Sequence, residues 1–299
     1  MSDALSGGTD QGAPELVCWG VRGSVAVPGP ATARWGGNTP CVELRAGGGR
    51  RLVLDAGTGL RALGAAWARD GDAGRPVGEP VHVLVTHAHA DHVQGLPFFA
   101  PLLHPGAAVT VHAAAPVADA VSAAARTLLL PPLFPVPLEA LPGRLTFASL
   151  APDADAAVAG FTVRPVEVAH PGGAYGFRVT DPRSGRAVAY LPDDELSAVE
   201  GVCGGRRALL EAIADAALLV HDATYLPSEL PERRGWGHSS YAEAIRLAAD
   251  ADVSRLLLFH HLPDRTDDAL DRLATTAAAV GRAHGVEVLV AREGAVVSV

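Results

Sequence analysis

Three histidines and an aspartate fall within six positions, His87-Ala88-His89-Ala90-Asp91-His92, directly after the apolar run Val83-Leu84-Val85. A valine-rich run of this kind reads as a buried strand, which puts the polar cluster on the loop where the strand ends. His87 and His89 stand two apart, so in extended chain both side chains leave on the same side and can grip one ion. Asp91 and His92 follow as the chain turns and can face a second ion beside the first. Imidazole with carboxylate suits zinc, manganese or iron. A solvated polar loop would account for one histidine here. It does not account for four ligand-type side chains packed this tightly.

Two ions need more donors than one loop can carry, so later strand ends must supply them. His170 follows the apolar run Phe161–Val168 and precedes Pro171-Gly172-Gly173. Asp193 and Asp194 lie just past Ala187–Leu191, and His260 and His261 just past Leu256–Phe259. Taken alone, a histidine before a turn is more often structural, and spacing does not choose within the Asp193/Asp194 or His260/His261 pairs. His82, His104, His112 and His284 lack such a context and read as ordinary strand, loop or surface residues.

Strands are expected over Leu16–Trp19, Cys41–Arg45, Arg51–Leu54, Val83–Val85 and Val109–His112, with helices over Leu60–Ala68, Val93–Phe99 and Val117–Leu129. Leu145–Leu150, Phe161–Val168, Gly176–Val179 and Ala187–Leu191 alternate as strands of a second sheet. Helices Leu209–Ala216, Tyr241–Ala249 and Asp267–Gly281 interleave with strands Leu218–His221, Leu256–Phe259, Val286–Val290 and Ala295–Val299. Gly71–Pro80 is a polar loop. Pro131–Pro137 cannot be helical, because its prolines remove donors and fix φ, and it serves either as a cap over the site or as a connection.

The cluster His87-x-His89-x-Asp91-His92 resembles the signature of the metallo-β-lactamase superfamily. Gly20-Val21-Arg22-Gly23-Ser24, then Gly36-Gly37-Asn38-Thr39, then Leu54-Asp55-Ala56-Gly57-Thr58-Gly59 resembles the N-terminal region of its phosphodiesterase branch. That branch is related to tRNase Z and to the cyclic phosphodiesterase of phosphonate breakdown. The resemblance runs from about Cys18 to Pro263. It implies an α/β (α+β) fold, an αββα sandwich of two mixed sheets flanked by helices, over residues 15–299 as a single domain, while the polar, glycine-bearing stretch 1–14 reads as a disordered tail. It also implies two divalent ions, with zinc, manganese and iron all open. His87, His89 and His170 would hold one ion, Asp91, His92 and His260 the other, and Asp193 would bridge them. Asp55 would support the metal loop from behind.

Two further elements carry the likeness. His221-Asp222-Ala223-Thr224 resembles the His-Glu-Ala-Thr element of tRNase Z, with aspartate for glutamate. Gly237-His238-Ser239-Ser240 resembles its His-x-Thr element, with serine for threonine. Carried over, Asp222 orients His238, and His238 stabilises or protonates the departing oxygen. Asp91, Asp222 and His238 are thus the candidate catalytic residues. Read structurally, His238 is a loop histidine and Asp222 a cap.

With 299 residues and 48% hydrophobic content the chain can bury a sizeable core. No apolar run is long enough to span a bilayer, and the start has no basic, signal-like segment, so a cytoplasmic protein without membrane contact is expected. Cys18, Cys41 and Cys203 are scattered and read as reduced thiols. All 24 basic residues are arginine, and the net charge of −9 disfavours a broad nucleic-acid surface. Between His170 and Asp193 there is no room for the long tRNA-gripping arm of many tRNase Z enzymes. The expectation is therefore a small or cyclic phosphodiester, cleaved by a hydroxide held between the ions, with tRNA set aside and a homodimer open. The competing readings are hydrolysis of a thioester, lactone or lactam, and a metal-bearing sensor or scaffold.

Overall fold

In a computed structural model, residues 12–69, 80–152, 154–202 and 204–299 are described. Of the fourteen strands among the described residues, the first series starts with β1 (Glu15–Gly20), β2 (Cys41–Ala46) and β3 (Arg50–Leu54). Then come β4 (Val81–Leu84), β5 (Ala108–Ala114) and β6 (Arg144–Leu150). The second series holds β7 (Ala156–Val158), β8 (Phe161–Val168), β9 (Ala174–Thr180) and β10 (Ala187–Leu191). It continues with β11 (Leu218–Asp222), β12 (Arg255–Phe259) and β13 (Glu287–Val290), and β14 (Val296–Ser298) ends the chain. They form two seven-stranded sheets, β14-β1-β2-β3-β4-β5-β6 and β13-β12-β11-β10-β9-β8-β7.

Helices α1 (Gly59–Arg69), α2 (Ala90–Val93) and α3 (Ala115–Leu128) lie in the first half, and α4 (Gly205–Ile213), α5 (Tyr241–Asp250) and α6 (Asp267–Ala283) in the second. Three apolar layers follow from this order. Leu44, Leu54 and Leu84 of the first sheet meet Phe161, Phe177 and Phe259 of the second between the sheets. Leu60, Leu63 and Trp67 of α1 cover the outer face of the first sheet, and Ile213, Ile245 and Leu273 of α4, α5 and α6 that of the second. The αββα sandwich of two mixed sheets is therefore present. No helix among the described residues is long and apolar enough to cross a membrane.

The sandwich positions the site through its parallel strands. β3, β4, β5 and β6 run parallel in one sheet, and β10, β11, β12 and β13 in the other. Parallel strands joined by helical crossovers all end on the same edge, which is where open α/β sheets gather their ligands. Asp55, His87, Asp193, Asp222 and His260 all stand at or just past such ends.

Some expectations need correction. Leu145–Leu150 belongs to the first sheet, beside β5, because the β5–α3–β6 crossover returns it there. Alternation marks a strand without naming its neighbour. β7, three residues long, was not expected. The helix over Val93–Phe99 is broken: α2 ends at Val93, and Leu96–Phe98 is a separate 3₁₀ turn starting at Gly95 with Pro97 inside it. Within the tail expected over 1–14, Pro14 is buried and its carbonyl accepts from Val299 N–H at 2.7 Å. Residues 1–11 of that tail, most of the Gly71–Pro80 loop and Cys203 lie outside the described residues, while Cys18 and Cys41 are buried free thiols.

Candidate metal centre

The chain beyond β4 stays buried through Val85, Thr86 and His87, then opens at Ala88 and His89. Asp55 holds it from behind, as expected. Its Oδ1 accepts from Thr86 N–H at 2.9 Å, and its Oδ2 accepts from His92 Nδ1 at 2.8 Å and from the Tyr190 hydroxyl at 2.9 Å. Asp55 sits at φ +61°, a left-handed conformation that aspartate tolerates better than most residues. The Thr86 hydroxyl donates to Asp55 and stands 3.0 Å from His87 Nδ1.

The same device recurs around the cluster. His170 Nδ1 donates to the Gly237 carbonyl at 2.8 Å, and His260 Nδ1 lies 3.1 Å from Thr224 Oγ1, whose hydroxyl is committed to the His260 carbonyl. His238 Nδ1 is 2.6 Å from Asp222 Oδ2. In His87, His92, His170 and His260 the protein occupies Nδ1, which fixes the tautomer that leaves Nε2 to face Asp193, while in His238 Asp222 holds Nδ1. Two glycines make room for the rings. A Cβ on Gly23 would stand 2.3 Å from the His260 ring, and one on Gly237, at φ +85°, 2.3 Å from His170 Nδ1.

At the centre lies Asp193, with its two oxygens facing different histidines. Oδ1 is 3.2 Å from His92 Nε2 and 3.3 Å from His260 Nε2. Oδ2 is 3.8 Å from His170 Nε2 and 4.0 Å from His87 Nε2. Asp91 Oδ2 stands 3.3 Å from both His92 and His260 Nε2 and accepts from Ser24 N–H at 2.7 Å. His89, the exposed member, meets His170 through Nδ1 at 3.1 Å. His87, His89 and His170 form one group able to hold an ion, and Asp91, His92 and His260 another. Among the described residues, the buried His87 Nε2, His92 Nε2 and Asp193 Oδ1 have no hydrogen-bond partner. Ligands about 2.1 Å from a tetrahedral ion lie about 3.4 Å apart, so the spacing and these orphaned atoms fit divalent cations.

Charge agrees with that fit at Asp193, His87 and His170, whereas at His92 burial is outweighed by Asp193, Asp91 and Asp55, which raise it. Burial works against ionising Asp193, but His260 and His92 outweigh it and hold the carboxyl well below its usual range. Burial pushes His87 and His170 down, towards the neutral form that can ligate. Burial also opposes protonation of His238, yet Asp222 first, then Asp193 and Asp91, raise it to about 9.

The choices that spacing left open are met by contrasting surroundings. His261 turns away and bonds the Ala291 carbonyl at 2.8 Å, while His260 faces the cluster. Asp194 also turns away, accepting from Ala169 N–H at 3.0 Å and lying 3.3 Å from His221 Nε2. His82 and His112 are not loose strand residues, since they pair with each other at 2.9 Å. Pro131–Pro137 links α3 to β6 and leans Phe134 on Phe98, the rings 5.8 Å apart. Glu195 was missed by sequence reasoning: it is buried and accepts from the N–H groups of Gly235 and Gly237, a role that no local pattern announces.

Comparison with known proteins defines the class. The β-lactamase superfamily domain matches residues 50–261, and the chain belongs to that family. It is a metal-dependent hydrolase with the metallo-β-lactamase fold. The ribonuclease Z of Salinibacter ruber is 29% identical over 277 residues, spanning 71% of this chain and 76% of that protein. The ribonuclease Z of Haloferax volcanii is 43% identical over 84 residues, only 27% of this chain and 23% of that protein. The metallo-β-lactamase fold protein YhfI of Bacillus subtilis superposes with a TM-score of 0.65 at 20% identity, covering 95% of this chain and 99% of its own. The expectation that set tRNA aside finds no support in these relatives.

Proposed function

We propose that the chain is a dinuclear-metal-dependent phosphodiesterase acting on a small or cyclic phosphodiester. His87, His89 and His170 would hold one divalent ion, Asp91, His92 and His260 the other, and Asp193 would serve both, with zinc, manganese or iron as candidates. Bound there, two such ions supply Lewis acidity to a water and to the non-bridging oxygens of the diester. The observation that carries the reading is the Asp222–His238 pair at 2.6 Å, stacked beside His260 with ring centroids 4.9 Å apart.

The chain's own residues explain how such a diester would be cleaved. Asp222 takes His238 Nδ1–H, so the proton His238 would give to substrate is the one on Nε2. As water adds to phosphorus and the P–O bond breaks, that proton passes to the departing oxygen, and the proton lost by the added water goes to solvent and restores His238. The raised His238 keeps the acid form available at neutral pH. Hydrolysis of a thioester with its stable thiolate leaving group has little use for this pair. A second reading, cleavage of RNA, is favoured by the ribonuclease Z relatives and opposed by the net charge of −9.

The test is turnover of bis(p-nitrophenyl) phosphate with zinc or manganese, beside a precursor tRNA, a thioester and a lactam. Diester cleavage abolished by chelation is expected. Turnover of the thioester or lactam with none of the diester would overturn the proposal, and cleavage of the RNA in preference would select the second reading.

A further inference from the structure

Three loops meet at Glu195. Its own N–H donates to the Ala169 carbonyl at 2.8 Å, next to His170, and it lies two residues past Asp193. Its carboxylate accepts from Gly235 N–H at 2.9 Å and Gly237 N–H at 2.8 Å, and from the Ser197 hydroxyl at 2.8 Å. The turn it grips carries two things into the centre. The Gly237 carbonyl takes His170 Nδ1–H, and the next residue is His238. Gly235 and Gly237 both have left-handed φ, +82° and +85°, so this turn has no helix or strand of its own to hold it. Gly235 is exposed and Gly237 buried, and the N–H groups of both bond to the Glu195 carboxylate.

We infer that Glu195 is a positioning residue for both halves of the site: through one turn it fixes the tautomer of His170 and the place of His238. Groups that orient a metal-binding histidine through its far nitrogen typically change metal affinity by about 10–100-fold when removed. A carboxylate suits the task because both of its oxygens accept, whereas glutamine keeps one acceptor for the turn. The effect on His238 rests on the phosphodiesterase reading, while the effect on His170 does not.

Glu195→Ala and Glu195→Gln are the variants, compared with the unaltered protein in three measurements. Ring-nitrogen NMR of metal-free protein should show His170 in one tautomer in the unaltered protein and in mixed tautomers in Glu195→Ala. Zinc titration against a competing chelator should show one ion held roughly tenfold more weakly in Glu195→Ala and less affected in Glu195→Gln. Turnover should fall further for a diester with a poor alkoxide leaving group than for one releasing p-nitrophenolate, because only the former needs the proton from His238. If Glu195→Ala does not fold, Glu195→Gln carries all three measurements, with a smaller shift expected. Unchanged tautomers with unchanged zinc affinity would overturn the inference. If the unaltered protein cleaves no diester, the proposed function fails, and the NMR and zinc results still decide the role of Glu195.

Discussion

The strand-end loops and the middle of the first sheet both bury histidines against one another, on different terms. In the sheet, His82 and His112 stack with centroids 5.1 Å apart and share one hydrogen bond at 2.9 Å. Burial first, then the neighbouring His82, push His112 down to about 4, so His112 is held as a neutral ring. At the strand ends the rings are as close, His87 and His92 lying 4.3 Å apart, but Asp55, Asp91, Asp193 and Asp222 are threaded between them. Neutral imidazoles pack like aromatic rings. Carboxylates with orphaned imidazole nitrogens form a donor set that fits cations.

The sharpest way to break the contrast is to remove the acid at the centre. Asp193→Ala should abolish stoichiometric binding of two ions and reduce diester turnover by more than about a hundredfold, beyond the range of indirect ligand support. Metal analysis after gel filtration checks it, and two retained ions would mean that Asp193 does not link the groups. His238→Ala should separate metal from chemistry. It should keep both ions and, on a diester with a poor alkoxide leaving group, lose about 10²–10⁴ in kcat/KM, the usual span for a general acid. Turnover equal to that of the unaltered protein would take His238 out of the reaction.

The two regions were also unequally legible in the sequence. His87 to His92 could be read locally, since strand, turn and ligands lie in one stretch. His170, Asp193 and His260 were found through family likeness, and their geometry came from three further strand ends that sequence does not place together. The distinction between His260 and His261 depends on His260 taking φ +58° and on Gly23 leaving room for its ring. The His82–His112 pair required knowing that β4 and β5 are neighbours, with Leu84 opposite His112 in register. Glu195 acts through backbone N–H groups, which every residue but proline has, so its partners leave no trace in side-chain pattern.

Asp55 tests how far the acidic support extends behind the ligands. Asp55→Asn keeps the left-handed backbone but gives up one acceptor among Thr86, His92 and Tyr190. Zinc affinity should fall about tenfold, measured by chelator competition. An unchanged affinity would mean that His92 is oriented by the cluster itself.

The smallest effect concerns the neutral pair. His112 has a folded value of about 4 against an ordinary 6.5, so between those values the unfolded chain binds the extra proton. Its contribution to stability is therefore present above about pH 6.5 and is lost as pH falls towards 4. Discounted for solvent screening, the loss between pH 7 and pH 5 should be about 1 kcal/mol. Urea unfolding of metal-free protein at the two pH values, compared with His112→Gln, isolates it, because the strand-end cluster titrates alike in both. The variant should have the shallower pH dependence. Equal slopes would show that the pair accommodates a proton, and the distinction between the two histidine sites would then rest on geometry and not on charge.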